Sequence, residues 1–553
     1  MRDRGRRCVL TKHNRPDKGN HRILVSSEIA REGLRIDKDP WRRQNALVRA
    51  GRRARRERTS GFSQAPPRQL HNPYPPFEIL SADQIETIHH ASLRVLAEIG
   101  VNFLLPEARD ILGQAGAKVD PAGPRVRFDP AFVEERIRTA PAGFTLHARN
   151  PARNVAIGGN AINFCMVAST PNVSDLERGR LTGNFADYCN LLRLGQSLNI
   201  CHMIAGYPVE PIDLPPATRH LDALAAMTTL CDRTLYGYAL GAVRIRDSLE
   251  ITRIARQVSA AQLRAEPSMT TVVNANSPLQ YDRPMLEGMI EMARHRQPVI
   301  VTPFTLAGAM APITIAGALV QQNAEALAGI VLIQCVEPGA PVVYGSFTSN
   351  VDMRSGAPAF GTPEYAKATL ASGQLVRRYN LPFRASNATA SNAPDAQSAY
   401  ESEMSIWPCV LAHCNIVKHG LGWLEGGLCT SYEKIILDAE MLQLIASFLD
   451  PLETDQDALG LDAMQEVGPG SHFFQAAHTM ARYERAFYAP LLSDWRNFET
   501  WRDAGAIDAT HRANRIWKEL LAAYEPPPMD PAVAEEIAAF VAKRKEQGGV
   551  PET

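Results

Sequence analysis

Two runs decide the fold: Pro298-Val299-Ile300-Val301-Thr302-Pro303-Phe304 and Pro341-Val342-Val343-Tyr344-Gly345-Ser346-Phe347. Each opens on proline, continues through β-branched residues and closes on an aromatic. Their apolar character is continuous rather than alternating, as expected of parallel strands covered on both faces. Between them, Leu319 to Val336 reads as a helix in which Leu327, Ile330, Val331 and Gln334 divide a buried from an exposed face. Working outward, similar runs recur at Ile162–Val167, Ile200–Ala205, Leu235–Leu240 and Met269–Asn274, and again at Pro382–Ser386 and Asn415–His419. Their spacing of about 30 to 45 residues is that of βα units. The expectation is an α/β fold, a closed (β/α)₈ TIM barrel over residues 161–450. A doubly wound open sheet is the alternative, but no G-x-G-x-x-G follows an early strand.

Around this body the chain changes character. Residues 1–64 carry 19 Lys+Arg against 7 Asp+Glu, and the remainder is correspondingly acidic, since the whole chain balances at 59 and 59. Residues 1–74 are therefore read as a basic, disordered extension. No aromatic or groove-reading motif accompanies its arginines, which argues against nucleic acid as a partner. Residues 75–160 read as a small α+β lead-in: Ser81 and Gln84 form a capping box, Ile85, Ile88, Val95, Leu96 and Ile99 follow at helical spacing, and Gly100 ends the helix. Short extended pieces follow at Phe144–His147 and Val155–Ile157. Residues 451–553 read as helices packed on the barrel through Trp495, Phe498, Trp501, Ile516, Trp517 and Leu520, with Asp530 and Pro531 opening the last one. The longest apolar runs are broken by polar residues or proline, and no apolar segment backs the N-terminal arginines, so a cytoplasmic protein is expected, with no membrane partner. Nine scattered cysteines without a C-x-x-C pair read as reduced thiols, and no metal site is expected.

In such a barrel chemistry sits at the C-terminal ends of the strands. The residues found there include Phe164, Tyr207, Tyr238, Asn274, Phe304, Tyr344, Phe347, Asn387, His419, Trp423 and Glu425. Hydrolytic triads, H-E-x-x-H and phosphate loops are absent. Aromatic faces suit a quaternary ammonium, which has no N–H to donate and is held by ring quadrupoles, each worth about 0.5 to 2 kcal/mol. Phe164, Tyr238, Phe304, Tyr344, Phe347 and Trp423 are the candidate substrate wall. Glu425, in the glycine-rich 420–427 loop, could balance a cation, or equally pair with a surface arginine. His419 and Asn274 are the other candidate catalytic groups.

Ser277-Pro278-Leu279, Gly361-Thr362-Pro363-Glu364, Pro394-Asp395-Ala396-Gln397 and Ala506-Ile507-Asp508-Ala509 stand in an order that resembles the trimethylamine methyltransferase family from about residue 75 to the end. The resemblance implies a TIM barrel that moves a methyl group from a methylated amine to Co(I) of a corrinoid on a separate protein, with no tightly bound cofactor of its own. It places the family's pyrrolysine position at Ala388, so the chain resembles the non-pyrrolysine branch, whose substrates are quaternary amines such as glycine betaine. The expected partners are that amine, the corrinoid protein and further copies of the chain. A non-catalytic amine-binding protein and a metal-dependent lyase or aldolase remain as alternatives.

Overall fold

The computed structural model describes residues 64–550. The basic head through residue 63 lies outside them. Residues 64–74, expected to belong to the disordered extension, are instead tied down. Ala65 N–H donates to Gln443 Oε1 and the strand Leu70–His71 pairs antiparallel with Ile162 and Ala161.

Seven parallel strands form the centre: β1 (Ala161–Met166), β2 (Leu235–Tyr236), β3 (Met269–Val273), β4 (Val299–Val301), β5 (Val342–Gly345), β6 (Phe383–Ser386) and β7 (Ile416–Leu421). Their order is β1-β7-β6-β5-β4-β3-β2, so from β3 onward each neighbours its predecessor in sequence, the first lies beside the last, and β1 and β2 stand at opposite ends of the series. With Leu70–His71 outside β1, this makes an eight-stranded, mostly parallel sheet within a mixed α/β fold. Helices separate the strands, and the apolar runs are buried on both faces, which explains why their sequences lack alternation.

The expected strand at Ile200–Ala205 forms no ladder, only a parallel bridge between Met203 and Cys165. A side chain is the cause. His202 Nδ1 accepts the Phe164 N–H at 2.9 Å where a strand would offer a carbonyl, while the His202 and Met203 N–H groups both turn to Phe164 O.

The helix Ile315–Val336 also departs from its sequence reading. It is not two-faced: Gln322, Asn323, Glu325 and Gln334 are buried along with its apolar residues. Helices Ala82–Arg94, Pro106–Gln114 and Pro130–Ile137 of the lead-in cover its outer side. Gln334 is satisfied there by Ala340 O, the Gly339 N–H and Thr139 Oγ1, so its polarity marks a buried network rather than solvent. This helix is long and apolar enough to cross a bilayer, and most of it is enclosed by protein.

The Ser81–Gln84 capping box is formed in both directions. One turn of π-helix, Val95–Ile99, then ends at Gly100, whose φ of 81° and 2.5 Å approach to Val126 O by a would-be Cβ both demand glycine. That wider turn rotates Ile99 out to solvent, against the helical spacing. Phe144 and Ile157 lie opposite each other in the hairpin Gly143–Leu146 and Val155–Gly158.

At the tail, Ile516 and Leu520 are buried and Trp517 packs on Tyr432 at 4.6 Å. Trp495 and Phe498, expected to pack as well, are exposed. The helix Pro531–Glu546 is capped by Asp530 and buries Val533, Ile537 and Val541.

Candidate active site

Beyond the strand ends the chain adds two small sheets. One joins Thr305–Ala307, Thr348–Val351 and Pro358–Ala359. The other joins Trp423–Leu424, Cys429–Ser431, Asn172–Asp175 and Gly179–Thr182. They stand on the loops after β4 and β5 and after β7 and β1, and so extend the wall around a cavity of about 490 Å³. A smaller cavity of about 270 Å³ lies by Gln64, Leu70, Asn199 and Gln443.

The larger cavity has two levels. Tyr236, Val272, Arg384 and Lys418 line it from within strands, with Thr302 just past β4, and form its floor. Ser169, Tyr238, Asn274, Phe304, Phe347, Trp423, Gly426 and Gly427 line it from beyond the strand ends and form its walls and mouth. Phe347 is the centre of the aromatic wall. Its ring stacks on Phe360 at 5.4 Å, lies 5.1 Å from Phe304 and meets the edge of Trp423 at 6.0 Å. Trp423 is fixed by donating Nε1–H to Thr389 O at 3.1 Å. Gly427, at φ 100°, passes so close over the indole that a Cβ would sit 2.6 Å from it. The glycines of this loop thus admit an aromatic plate rather than only a ligand.

Ala388 is fully buried beside this wall, in a cluster with Val167, Phe360, Tyr365 and Trp423. Its loop is held from outside by Glu401, whose Oε2 accepts the Ala390 and Ser391 N–H groups at 2.9 and 3.0 Å and the Thr389 hydroxyl. Gln397 steadies the other oxygen at 2.9 Å, and Asp395 caps the helix Ala396–Leu411 that carries both. The Pro394-Asp395-Ala396-Gln397 segment therefore acts as a bracket behind Ala388.

His419 and Lys418 are consecutive, yet both line the cavity. A regular strand would send them to opposite faces. Here the register of β7 against β1 shifts between Val417 and Leu421, and His419 takes a left-handed φ of 57°. The His419 ring lies 4.3 Å from Trp423, and its Nδ1 is 3.2 Å from Ser386 Oγ. Burial, reinforced by the Arg384 and Lys418 cations, holds its pKa well below the usual histidine value, so the imidazole is neutral at neutral pH.

Of the other expected residues, Tyr238 reaches the mouth, donating to Glu210 Oε1 at 2.8 Å and lying 2.7 Å from Ser169 Oγ. Burial raises the Glu210 pKa, against the opposing Tyr238 hydrogen bond. Asn274 stands exposed at the rim. Three residues lie elsewhere. Phe164 points into the core beside His202, Tyr344 turns its hydroxyl to Asn323 and Gln322, and Glu425 receives Arg180 Nε at 2.9 and 3.0 Å instead of facing the cavity. The surface-pair alternative for Glu425 is what the geometry supplies.

Sequence reasoning missed Arg384 and Lys418. Both are almost fully buried, at 2% and 3% exposure. Arg384 lies over the Phe347 ring at 5.2 Å and donates only a 3.3 Å bond to Ser346 O. Lys418 lies over Tyr236 at 4.9 Å, and its Nζ has no hydrogen bond or ion pair among the described residues. Burial lowers both pKa values. A charge inside an apolar strand was the available signal, and attention to strand-closing positions passed over it.

A sequence model of the trimethylamine methyltransferase family matches residues 48–549. The chain belongs to the trimethylamine methyltransferase family. As a member it is a methyltransferase. A glycine betaine methyltransferase of Desulfitobacterium hafniense (strain Y51) is 37% identical over 86% of this chain and 98% of its own length. The trimethylamine methyltransferase MttB of Desulfitobacterium hafniense (strain DSM 10664 / DCB-2) is 29% identical over 85% and 94%, and that of Methanosarcina barkeri 25% over 84% and 94%. Among the described residues of this family member, no three His, Cys, Asp or Glu side chains gather as metal ligands.

Proposed function

We propose that the enzyme transfers a methyl group from a quaternary amine of the glycine betaine kind to Co(I) of a corrinoid carried by a separate protein. The strands, continued through the Met203 bridge, are read as a (β/α)₈ barrel whose second strand has shrunk to one pairing. The observation that carries the functional reading is the convergence of Phe304, Phe347 and Trp423 on one cavity at the strand ends, with Tyr238 opposite. Aromatic faces attract an alkylated cation without needing an N–H, and a quaternary nitrogen is a leaving group without protonation. Ala388, at the position the resemblance gives to pyrrolysine, offers no electrophile for a tertiary amine.

The corrinoid, as methyl acceptor, would supply the electron pair for the new bond to the N-methyl carbon, while the C–N pair stays on nitrogen and leaves as a neutral tertiary amino group, with any substrate carboxylate unchanged. The protein's own part is positional. Phe304, Phe347 and Trp423 hold the ammonium, the neutral His419 beneath Trp423 adds no competing proton, and enclosure strips water from the reacting methyl. Leu176, Leu181, Ile212, Leu240, Ile313, Met353 and Leu428 are exposed on the loops after the strands and offer the corrinoid protein an apolar rim.

The test is to mix purified enzyme, reduced Co(I) corrinoid and a panel of glycine betaine, carnitine, proline betaine and trimethylamine, following the cobalt spectrum. Methylation with a quaternary amine and none with trimethylamine is expected. Silence across the panel, while a control enzyme methylates the same corrinoid, would overturn the reading.

A further inference from the structure

We infer that the substrate is a zwitterion whose carboxylate seats on Arg384 and Lys418 at the cavity floor, with its ammonium turned outward to the aromatic wall. The inference rests on the methyl-transfer reading and names the substrate class for that same cavity.

The floor is built for an anion that the protein does not supply. Two cations stand there almost fully buried, and neither has a carboxylate partner among the described residues. Elsewhere the chain pairs such a group: buried Lys434 is matched by Asp438 four residues on. Buried charges are ordinarily paired. The side chains are held in place by ring faces instead, Arg384 by Phe347 and Lys418 by Tyr236. Two further buried atoms at this level, Arg384 Nε and Thr302 Oγ1, lack any hydrogen-bond partner. A guanidinium edge, an ammonium and a hydroxyl facing one space form a donor set for a carboxylate.

The cavity's polarity then orients the ligand. The cations come from within strands, and the aromatics of the wall, Phe304, Phe347 and Trp423, from beyond the strand ends, with Tyr236 alone of the lining Phe, Tyr and Trp rings at the floor. At the mouth Glu210 stands behind Tyr238, with its Oε1 2.8 Å from the phenol oxygen. A zwitterion enters acid first, and its methyl groups face outward, where a docked acceptor can approach one of them in line with the C–N bond. A quaternary amine without an acid meets two like charges at the floor, so choline is selected against.

The experiment is calorimetric titration of wild type, Lys418→Met and Arg384→Met with three probes: glycine betaine, tert-butylacetate and choline. tert-Butylacetate has the same shape and acid as glycine betaine but carbon in place of the charged nitrogen. Wild type is expected to bind glycine betaine best, tert-butylacetate measurably and choline least. Each substitution should weaken both carboxylates at least about tenfold and leave choline unweakened. Thermal melts of each variant accompany the titrations, and Lys418→Met, an apolar isostere, carries the conclusion if Arg384→Met fails to fold. Choline binding as tightly as glycine betaine, or Lys418→Met leaving the carboxylates unaffected, would overturn the inference. The cobalt assay separates this from the parent reading. Methyl transfer from choline with no need of Lys418 keeps the activity and removes the acid subsite, whereas carboxylate binding that depends on Lys418, without transfer from any amine, does the reverse.

Discussion

Lys418 shows at the scale of one residue what a buried, unpaired cation does. Burial, with Arg384 second, lowers its pKa well below the usual lysine value. Between that lowered value and about 10.4 the unfolded chain holds a proton that the folded protein lacks, so stability rises with pH across this window and the penalty is fully present below it. Lys418→Met should therefore melt higher than wild type near neutral pH and lose this part of the alkaline rise, as read from melts across the pH range. A residue kept for structure would give the opposite sign. Gly427→Ala makes a different kind of change. At φ 100° and 2.6 Å from the indole, the added methyl should cost about 1 to 3 kcal/mol in denaturant titrations and shift the Trp423 emission. Glu425→Gln should cost little activity, because its carboxylate serves Arg180 at the surface. Aromatics at strand ends were legible because each closes an apolar run. Lys418 was passed over because it lies inside its run, one residue before the closing His419, whose own orientation depends on a register shift that sequence alternation cannot reveal.

Elements were read most securely where local chemistry agreed with tertiary packing. The capping box at Ser81, the stop at Gly100 and the seven strands that formed all had such agreement. Ile200–Ala205 had strand composition, but His202 supplied a side-chain acceptor that took the place of the ladder. Ile315–Val336 had a polar position that suggested solvent, and a second layer covered it. The bracket of Glu401 on the 388–391 loop gives a prediction at this level. Glu401→Ala leaves the Ala390 N–H unpaired, takes one of two acceptors from the Ser391 N–H and loosens the carbonyl that holds Trp423. The substrate Kd should rise several-fold while the melting temperature falls, and Glu401→Gln, which keeps an acceptor, should recover most of both.

For the whole molecule, the apolar rim is the testable feature. Ile313 and Met353, each 67% exposed, stand on neighbouring loops either side of Gly308. Ile313→Asp and Met353→Asp should slow methylation of a protein-borne corrinoid at least about tenfold, leaving glycine betaine affinity and methylation of free corrinoid unchanged. Equal loss with both acceptors would place these residues in the chemistry instead of in docking.

The enclosed helix Ile315–Val336 bears on how the chain is made. Its three covering helices lie between residues 82 and 137, so translation releases the cover long before the helix it protects. A nascent chain can sheathe this membrane-like segment as it leaves the ribosome, before any targeting machinery meets it bare. Synthesis begun downstream of residue 140 would expose it, and the product should sediment with membranes or aggregates.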